Sequence, residues 1–114
     1  MNVTVWFNPA CSKCRAVKTL LEERGIEASY RLYLEEAPNV EELEDLISKL
    51  GDPEAMQLLR AKDPAFSEQG LADATPAARI AAGCATPSLI NRPIVVHGER
   101  AIIARPPELA VEVL

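Results

Sequence analysis

The junction that most constrains this chain is Val3-Thr4-Val5-Trp6-Phe7, then Asn8-Pro9, then Cys11-Ser12-Lys13-Cys14. Two valines and two aromatics in a short apolar run predict a buried strand, and Asn-Pro is a turn signal that ends it. From Ser12 to Arg24 the pattern is helical, with Val17, Leu20 and Leu21 on one face, charged residues on the other and Gly25 as the stop. Strand, tight turn and helix therefore meet around a C-x-x-C pair. Cys11 stands where the helix begins, and unpartnered N–H groups and the positive end of the macrodipole favour a thiolate over a thiol there. Such a cysteine has its pKa lowered, and the same geometry accepts an oxyanion. Lys13 and Arg15 bring positive charge nearby.

Cys14 lies about one helical turn on, within disulfide reach of Cys11. It also shares a face with Val17 and Leu21, so it reads either as a resolving thiol or as a small buried hydrophobe. Cys84 has no partner at a suggestive spacing. Three cysteines, two of them in C-x-x-C, do not form a secreted disulfide framework but fit a reduced, cytoplasmic protein with a working thiol. Zinc would need two further ligands, and His97 with Cys84 is a poor supply, so no metal is expected. His97 falls in an expected hairpin loop and reads as exposed.

Past the first helix, Ser29 to Leu34 is β-rich and is expected to pair parallel with the first strand, since a helix lies between them. Asn39 and Glu42 form a capping-box signature for a helix with Val40, Leu43, Ile47 and Leu50 on its apolar face, ended by Gly51. Asp52-Pro53 signals a short helix carrying Met56, Leu58 and Leu59 and finishing near Arg60. Asp63-Pro64 and Thr75-Pro76 repeat that signal, the latter leading an Ala-rich helix to about Ala82. Ile94–Val96 and Ala101–Ala104 are predicted strands around a four-residue loop, His97 to Arg100. Pro106-Pro107 opens a last helix bearing Leu109, Val111 and Leu114. The order β-α-β, helical block, β-β-α is that of a thioredoxin-like (glutaredoxin-type) α/β fold with an inserted helical block, in a single domain spanning residues 1–114.

Composition sets the outer limits. With 48% apolar and 25% charged residues, the 114-residue chain has the balance of a globular protein able to bury a core. Apolar stretches are too short for a membrane span, and the N-terminus lacks the basic flank of a signal peptide. A net charge of −5 argues against nucleic-acid binding through an overall positive field.

Asn8-Pro9-Ala10-Cys11-Ser12-Lys13-Cys14-Arg15 resembles the active-site stretch of the arsenate reductase family that couples to glutathione and glutaredoxin. The likeness continues at Leu58-Leu59-Arg60, Gln69-Gly70-Leu71-Ala72, Asn91-Arg92-Pro93-Ile94-Val95-Val96 and Ala104-Arg105-Pro106-Pro107-Glu108. The resemblance implies that Cys11 is the nucleophile, that Arg60, Arg92 and Arg105 surround the arsenate oxyanion, and that the Arg92-Pro93 bond is cis. Asn8 and Pro93 would then shape the backbone beside the thiol. It also implies glutathione as co-substrate, glutaredoxin or thioredoxin as electron donor, and no bound cofactor. Guanidinium groups suit the task because they fork onto two oxygens of a tetrahedral anion at once. Read without the resemblance, Arg60 merely complements a helix end, Arg92 sits beside a turn and Arg105 at a helix entrance.

The sequence departs from the family in three places. Phe7 stands where characterised members often carry histidine, Cys14 stands where the longer enzymes have no second cysteine, and the chain stops at Leu114 without their C-terminal extension, as in a shorter branch. Two other functions use the same residues. One is a redox-sensing regulator of the Spx type, which shares the fold and acts on RNA polymerase through a C-x-x-C switch. The other is a general thiol–disulfide protein using Cys11 and Cys14.

Overall fold

Val3 and Val5 both turn into the core while the strand that carries them is hydrogen-bonded on both edges, as a continuous apolar run requires. In the computed structural model, which describes residues 2–114, this strand is β1 (Val3–Trp6). It is followed by α1 (Ser12–Glu23), β2 (Ala28–Arg31), α2 (Val40–Leu50), α3 (Pro64–Glu68), α4 (Pro76–Ala85), β3 (Ile94–His97) and β4 (Arg100–Ile103). Short 3-10 segments cover Leu71–Asp73, Pro87–Leu89 and Pro107–Val113. The chain resolves into two compact units, one made of the residues up to Glu36 with Arg92–Leu114, the other of Ala37–Asn91.

The first unit holds the sheet, in the order β2-β1-β3-β4. β2 runs parallel to β1, as expected for a strand reached through a helical crossover, and β3 and β4 run antiparallel. This is the thioredoxin-like arrangement. Val3, Val5, Phe7 and Val95 from the sheet meet Cys14, Val17 and Leu21 from one stripe of α1, and Ala110 and Val113 close the cluster. The second strand ends earlier than its composition suggested. β1 offers its last register partner, Trp6, to Arg31, and beyond the bond from Phe7 N–H to the Arg31 carbonyl the chain turns away. Tyr33 is then buried against Trp6, ring centroids 6.0 Å apart.

Two expectations for the C-terminal part are corrected. His97 pairs with Arg100, so the hairpin connection is two residues, Gly98-Glu99, and Gly98 takes the positive φ of 63° that so short a link asks of its first residue. His97 therefore ends β3 half-buried, its Nδ1 2.7 Å from the Val113 carbonyl, and is not an exposed loop residue. The last helix is 3-10, not α. With three residues per turn, Pro107, Ala110 and Val113 share the buried face, and Val111 is left exposed.

In the second unit, Asn39 and Glu42 close the expected capping box on α2: Asn39 Oδ1 accepts from the Glu42 N–H, and Glu42 Oε1 accepts from the Asn39 N–H. Gly51 ends the helix at φ 67°. Leu43, Leu46 and Ile47 form its buried face, whereas Val40, at the first helical position, is 48% exposed. No helix follows Asp52-Pro53. The Asp52 carboxylate accepts from the N–H groups of Met56, Gln57 and Leu58, and Ala55 adopts φ 55°, which breaks any helical path. Met56 is half exposed as a result, and Leu59 forms an isolated antiparallel bridge with Ile90. α3 and α4 start at their Asx/Thr-Pro signals, capped by Asp63 and Thr75, and α4 runs on to Ala85. Arg79 of α4 is buried and donates to the carbonyls of Leu71, Glu54 and Ala72.

Candidate active site

The turn after β1 is built by Asn8. Its Oδ1 accepts from the Ala10 N–H at 3.0 Å and its carbonyl accepts from the Cys11 N–H at 2.9 Å. Arg15 reaches back from the first turn of α1 and donates through Nη1 to the Pro9 carbonyl at 2.8 Å, bracing the same turn. Cys11 is thereby fixed as the N-cap of α1, in extended backbone conformation (φ −90°, ψ 121°), and its carbonyl accepts from the Arg15 N–H. Phe7, where the family often has histidine, is buried and meets Tyr30 edge-on at 5.2 Å. Lys18 Nζ lies over the same tyrosine ring, 5.3 Å from its centroid.

The sheet register brings Arg92 and Arg105 to the end that carries this turn. Trp6 pairs with Ile94 and Ile94 with Ile103, so the turn after β1, the residues before β3 and those after β4 share one end of the sheet. Arg92 and Pro93 precede β3 and Arg105 follows β4, and Arg105 Nη1 donates to the Arg92 carbonyl at 3.2 Å. The Arg92-Pro93 bond is cis, as the resemblance implied, and so is Arg105-Pro106. The Pro93 carbonyl accepts from the Ala104 N–H, tying the two segments together.

Cys11 is partly exposed and Cys14 is fully buried beneath it on α1. Partial burial of Cys11 opposes ionisation, but the backbone N–H and thiol of Cys14, the Arg92 guanidinium and the Lys13 N–H outweigh it, holding Cys11 below the ordinary thiol value. None of those N–H groups closes a strict capping bond onto the sulfur; sulfur is a diffuse acceptor and feels them at longer range. For Cys14 the balance is reversed. Burial above all, with the neighbouring Cys11 adding to it, pushes its thiol up to about 11 against the opposing pull of the Asn8 backbone and, more weakly, Arg92. The two thiols are thus shifted in opposite directions, Cys11 toward the thiolate and Cys14 away from it.

The remaining candidates lie in the Ala37–Asn91 unit. Arg60 ends no helix. It follows the Leu59–Ile90 bridge, donates its N–H to the Leu89 carbonyl, and pairs through Nη1 with Asp63 Oδ2 at 3.3 Å. Cys84, half-buried on α4, is shifted upward by burial and by the charge of Glu42, away from nucleophilic character. Among the described residues no group of histidine, cysteine and carboxylate side chains is arranged to hold a metal ion, and no helix is long and apolar enough to cross a membrane.

Comparison with known proteins places this geometry among relatives. Residues 6–112 match the profile of the ArsC family. The chain is 39% identical over 116 residues to an arsenate reductase of Haemophilus influenzae, covering all of both chains. It is 40% identical over 108 residues to an arsenate reductase of Neisseria meningitidis serogroup A, covering 93% of this chain and 92% of that one. In structure it superposes on an arsenate reductase from Vibrio cholerae with a TM-score of 0.96 at 41% identity, covering 100% of this chain and 98% of that one.

Proposed function

We propose, from the premise that this chain belongs to the ArsC family, that it is a thiol-dependent oxidoreductase that reduces arsenate to arsenite, with Cys11 as nucleophile. The observation that carries the reading is Cys11 itself: a partly exposed helix N-cap thiol, held below the ordinary thiol value with the Arg92 guanidinium among the causes. A thiolate attacking arsenate meets an anion, and the repulsion must be neutralised locally. Arg92 stands at the sulfur, and Arg105 is tied to the Arg92 backbone. In the proposed complex both fork onto arsenate oxygens and stabilise charge as the As–O bond breaks. Arg60 is the third arginine by family resemblance, and Asn8 and Pro93 hold the backbone on either side.

The reaction proceeds in balanced steps. The Cys11 thiolate attacks arsenic, an As–O bond breaks, and the departing oxygen takes up protons from solvent and leaves as water. A second thiol then attacks the Cys11 sulfur. The S–As electron pair stays on arsenic, which departs as arsenite, and a disulfide remains. In the family's scheme the second thiol is glutathione, and glutaredoxin regenerates Cys11. The regulator alternative needs no guanidinium on the switch cysteine, so Arg92 beside Cys11 favours the enzyme. The test is arsenite production with glutathione and glutaredoxin. Wild type is expected to turn over and Cys11→Ser to be inactive; wild-type activity no higher than the Cys11→Ser control refutes the proposal.

A further inference from the structure

The geometry points to Cys14 as the resolving thiol: it attacks the Cys11 sulfur once that sulfur carries arsenic, so arsenite is released with a Cys11–Cys14 disulfide before any external thiol takes part. The inference rests on the arsenate-reductase reading for its substrate, but the thiol pair itself does not depend on it. Cys14 is the third residue of α1, three positions after the N-cap Cys11, and Cys11 packs against the buried cluster to which Cys14, Val17 and Leu21 belong. Cys14 is wholly buried, which a donor-facing thiol could not be, yet burial is no obstacle to attack on a neighbouring sulfur. An incoming reductant would meet the partly exposed Cys11 and expel Cys14 as the leaving thiol, the polarity that exchange through a disulfide needs.

The pair also explains why Cys14 does not react early. At rest it is held as a thiol by burial, by the Cys11 charge and by its own hydrogen bond to Cys11. When the Cys11 sulfur bonds to arsenic, or to glutathione, that sulfur loses its charge and its role as acceptor, so two of the three restraints go. The Asn8 backbone bond and the Arg92 charge, which favour the thiolate, remain. Modification of Cys11 therefore lowers the cost of ionising Cys14, while burial, the largest restraint, stays. The Cys14 proton leaves to solvent, an S–S bond forms, the S–As bond breaks, and its electron pair reduces arsenic. The two thiols together supply both electrons.

The test uses the full chain with Cys84→Ser, so that only two thiols count. Reduced protein is first treated with oxidised glutathione. The expected product is the internal disulfide, two hydrogens lighter by mass, with glutathione released; the same protein carrying Cys14→Ser or Cys14→Ala accumulates the Cys11–glutathione adduct. Separately, fresh reduced protein not exposed to oxidised glutathione is mixed with arsenate and no external thiol, where stoichiometric arsenite is expected with Cys14 present and none in either Cys14 variant. A persistent glutathione adduct on protein that retains Cys14 overturns the inference. So does a Cys14 variant that turns over arsenate with glutathione and glutaredoxin at the unmodified rate, and either result leaves the reductase reading standing. An internal disulfide with oxidised glutathione, but no arsenite under any donor, supports the dithiol and refutes arsenate as substrate.

Discussion

Asp52 offers the sharpest quantitative test of how the Ala37–Asn91 unit is held together. Its carboxylate is 5% exposed and accepts three backbone N–H groups, Met56 at 3.0 Å, Gln57 at 2.8 Å and Leu58 at 3.1 Å. Asp52→Ala removes all three acceptors. The Met56 and Gln57 N–H groups are part-buried and recover some of the loss from water, at about 1 kcal/mol each, whereas the buried Leu58 N–H forfeits about 2 kcal/mol. Relief of the buried carboxylate's desolvation returns roughly 1 kcal/mol. The expected net cost is about 3 kcal/mol, a large share of the ~5–15 kcal/mol typical of a domain. At roughly 4 °C per kcal/mol for a chain of this size, Tm falls by about 12 °C. Asp52→Asn keeps one acceptor oxygen and is expected to lose about half as much.

The assay is thermal and urea unfolding followed by far-ultraviolet circular dichroism on the three proteins. The consequence reaches the candidate arginine, because the turn capped by Asp52 delivers Leu58, whose carbonyl accepts from Asn91, and Arg60, whose N–H donates to Leu89. A loss below about 1 kcal/mol for Asp52→Ala would refute the reasoning: the turn would then be fixed by its apolar neighbours, and the carboxylate would be incidental.

Other expectations are simpler to state. Alkylation of Cys11 by iodoacetamide should have its pH midpoint below that of an ordinary thiol, and Arg92→Ala should move it up, since a donor to the thiolate is lost; an unchanged midpoint refutes the assigned cause. Cys14 carries the opposite sign. Its folded value of about 11 means that stability is lost as pH rises from the ordinary thiol range toward that value, and Cys14→Ala should flatten this part of the unfolding profile. Gly83 of α4 has Leu43 Cδ1 3.0 Å, Leu59 Cδ2 3.5 Å and Ile90 Cγ1 3.6 Å from where a Cβ would stand. Gly83→Ala should stay within about 1 kcal/mol of wild type, helix propensity offsetting the tight contact, while Gly83→Val should lose about 2 kcal/mol in urea unfolding.

What could be read from the sequence was what local chemistry decides. The strand–turn–helix around Cys11 follows from Asn8-Pro9 and the stripe Cys14, Val17, Leu21, and the α2 capping box from Asn39 and Glu42 alone. Asp52-Pro53 misled because an aspartate before proline signals both a helix start and a tight turn; the choice was made by a carboxylate reaching N–H groups four to six residues on, with Ala55 at positive φ. At the C-terminus the same apolar residues fit α and 3-10 periods, and only the buried set Pro107, Ala110, Val113 selects the latter. The placing of Arg92 and Arg105 at the end of the sheet that carries the Cys11 turn depends on the register Trp6–Ile94–Ile103. No local signal carries that register, so those arginines were legible only through the family resemblance.

The electrostatics of Cys11 also show which charges count. A net charge of −5 opposes both a thiolate and an arriving oxyanion, and nearby Lys13 and Arg15 looked like the remedy. Yet the Arg15 guanidinium is turned onto the Pro9 carbonyl, and the groups that lower Cys11 are N–H donors of α1, the Cys14 thiol and Arg92. All act from residues next to the sulfur, where screening is weak, whereas charges farther away than a Debye length of about 8–10 Å are largely screened by salt. Short-range donors therefore decide the ionisation of this thiol against the overall sign of the protein. Under the proposed resolution step, the Cys14 thiol that contributes to lowering Cys11 is also the group that attacks once Cys11 is consumed.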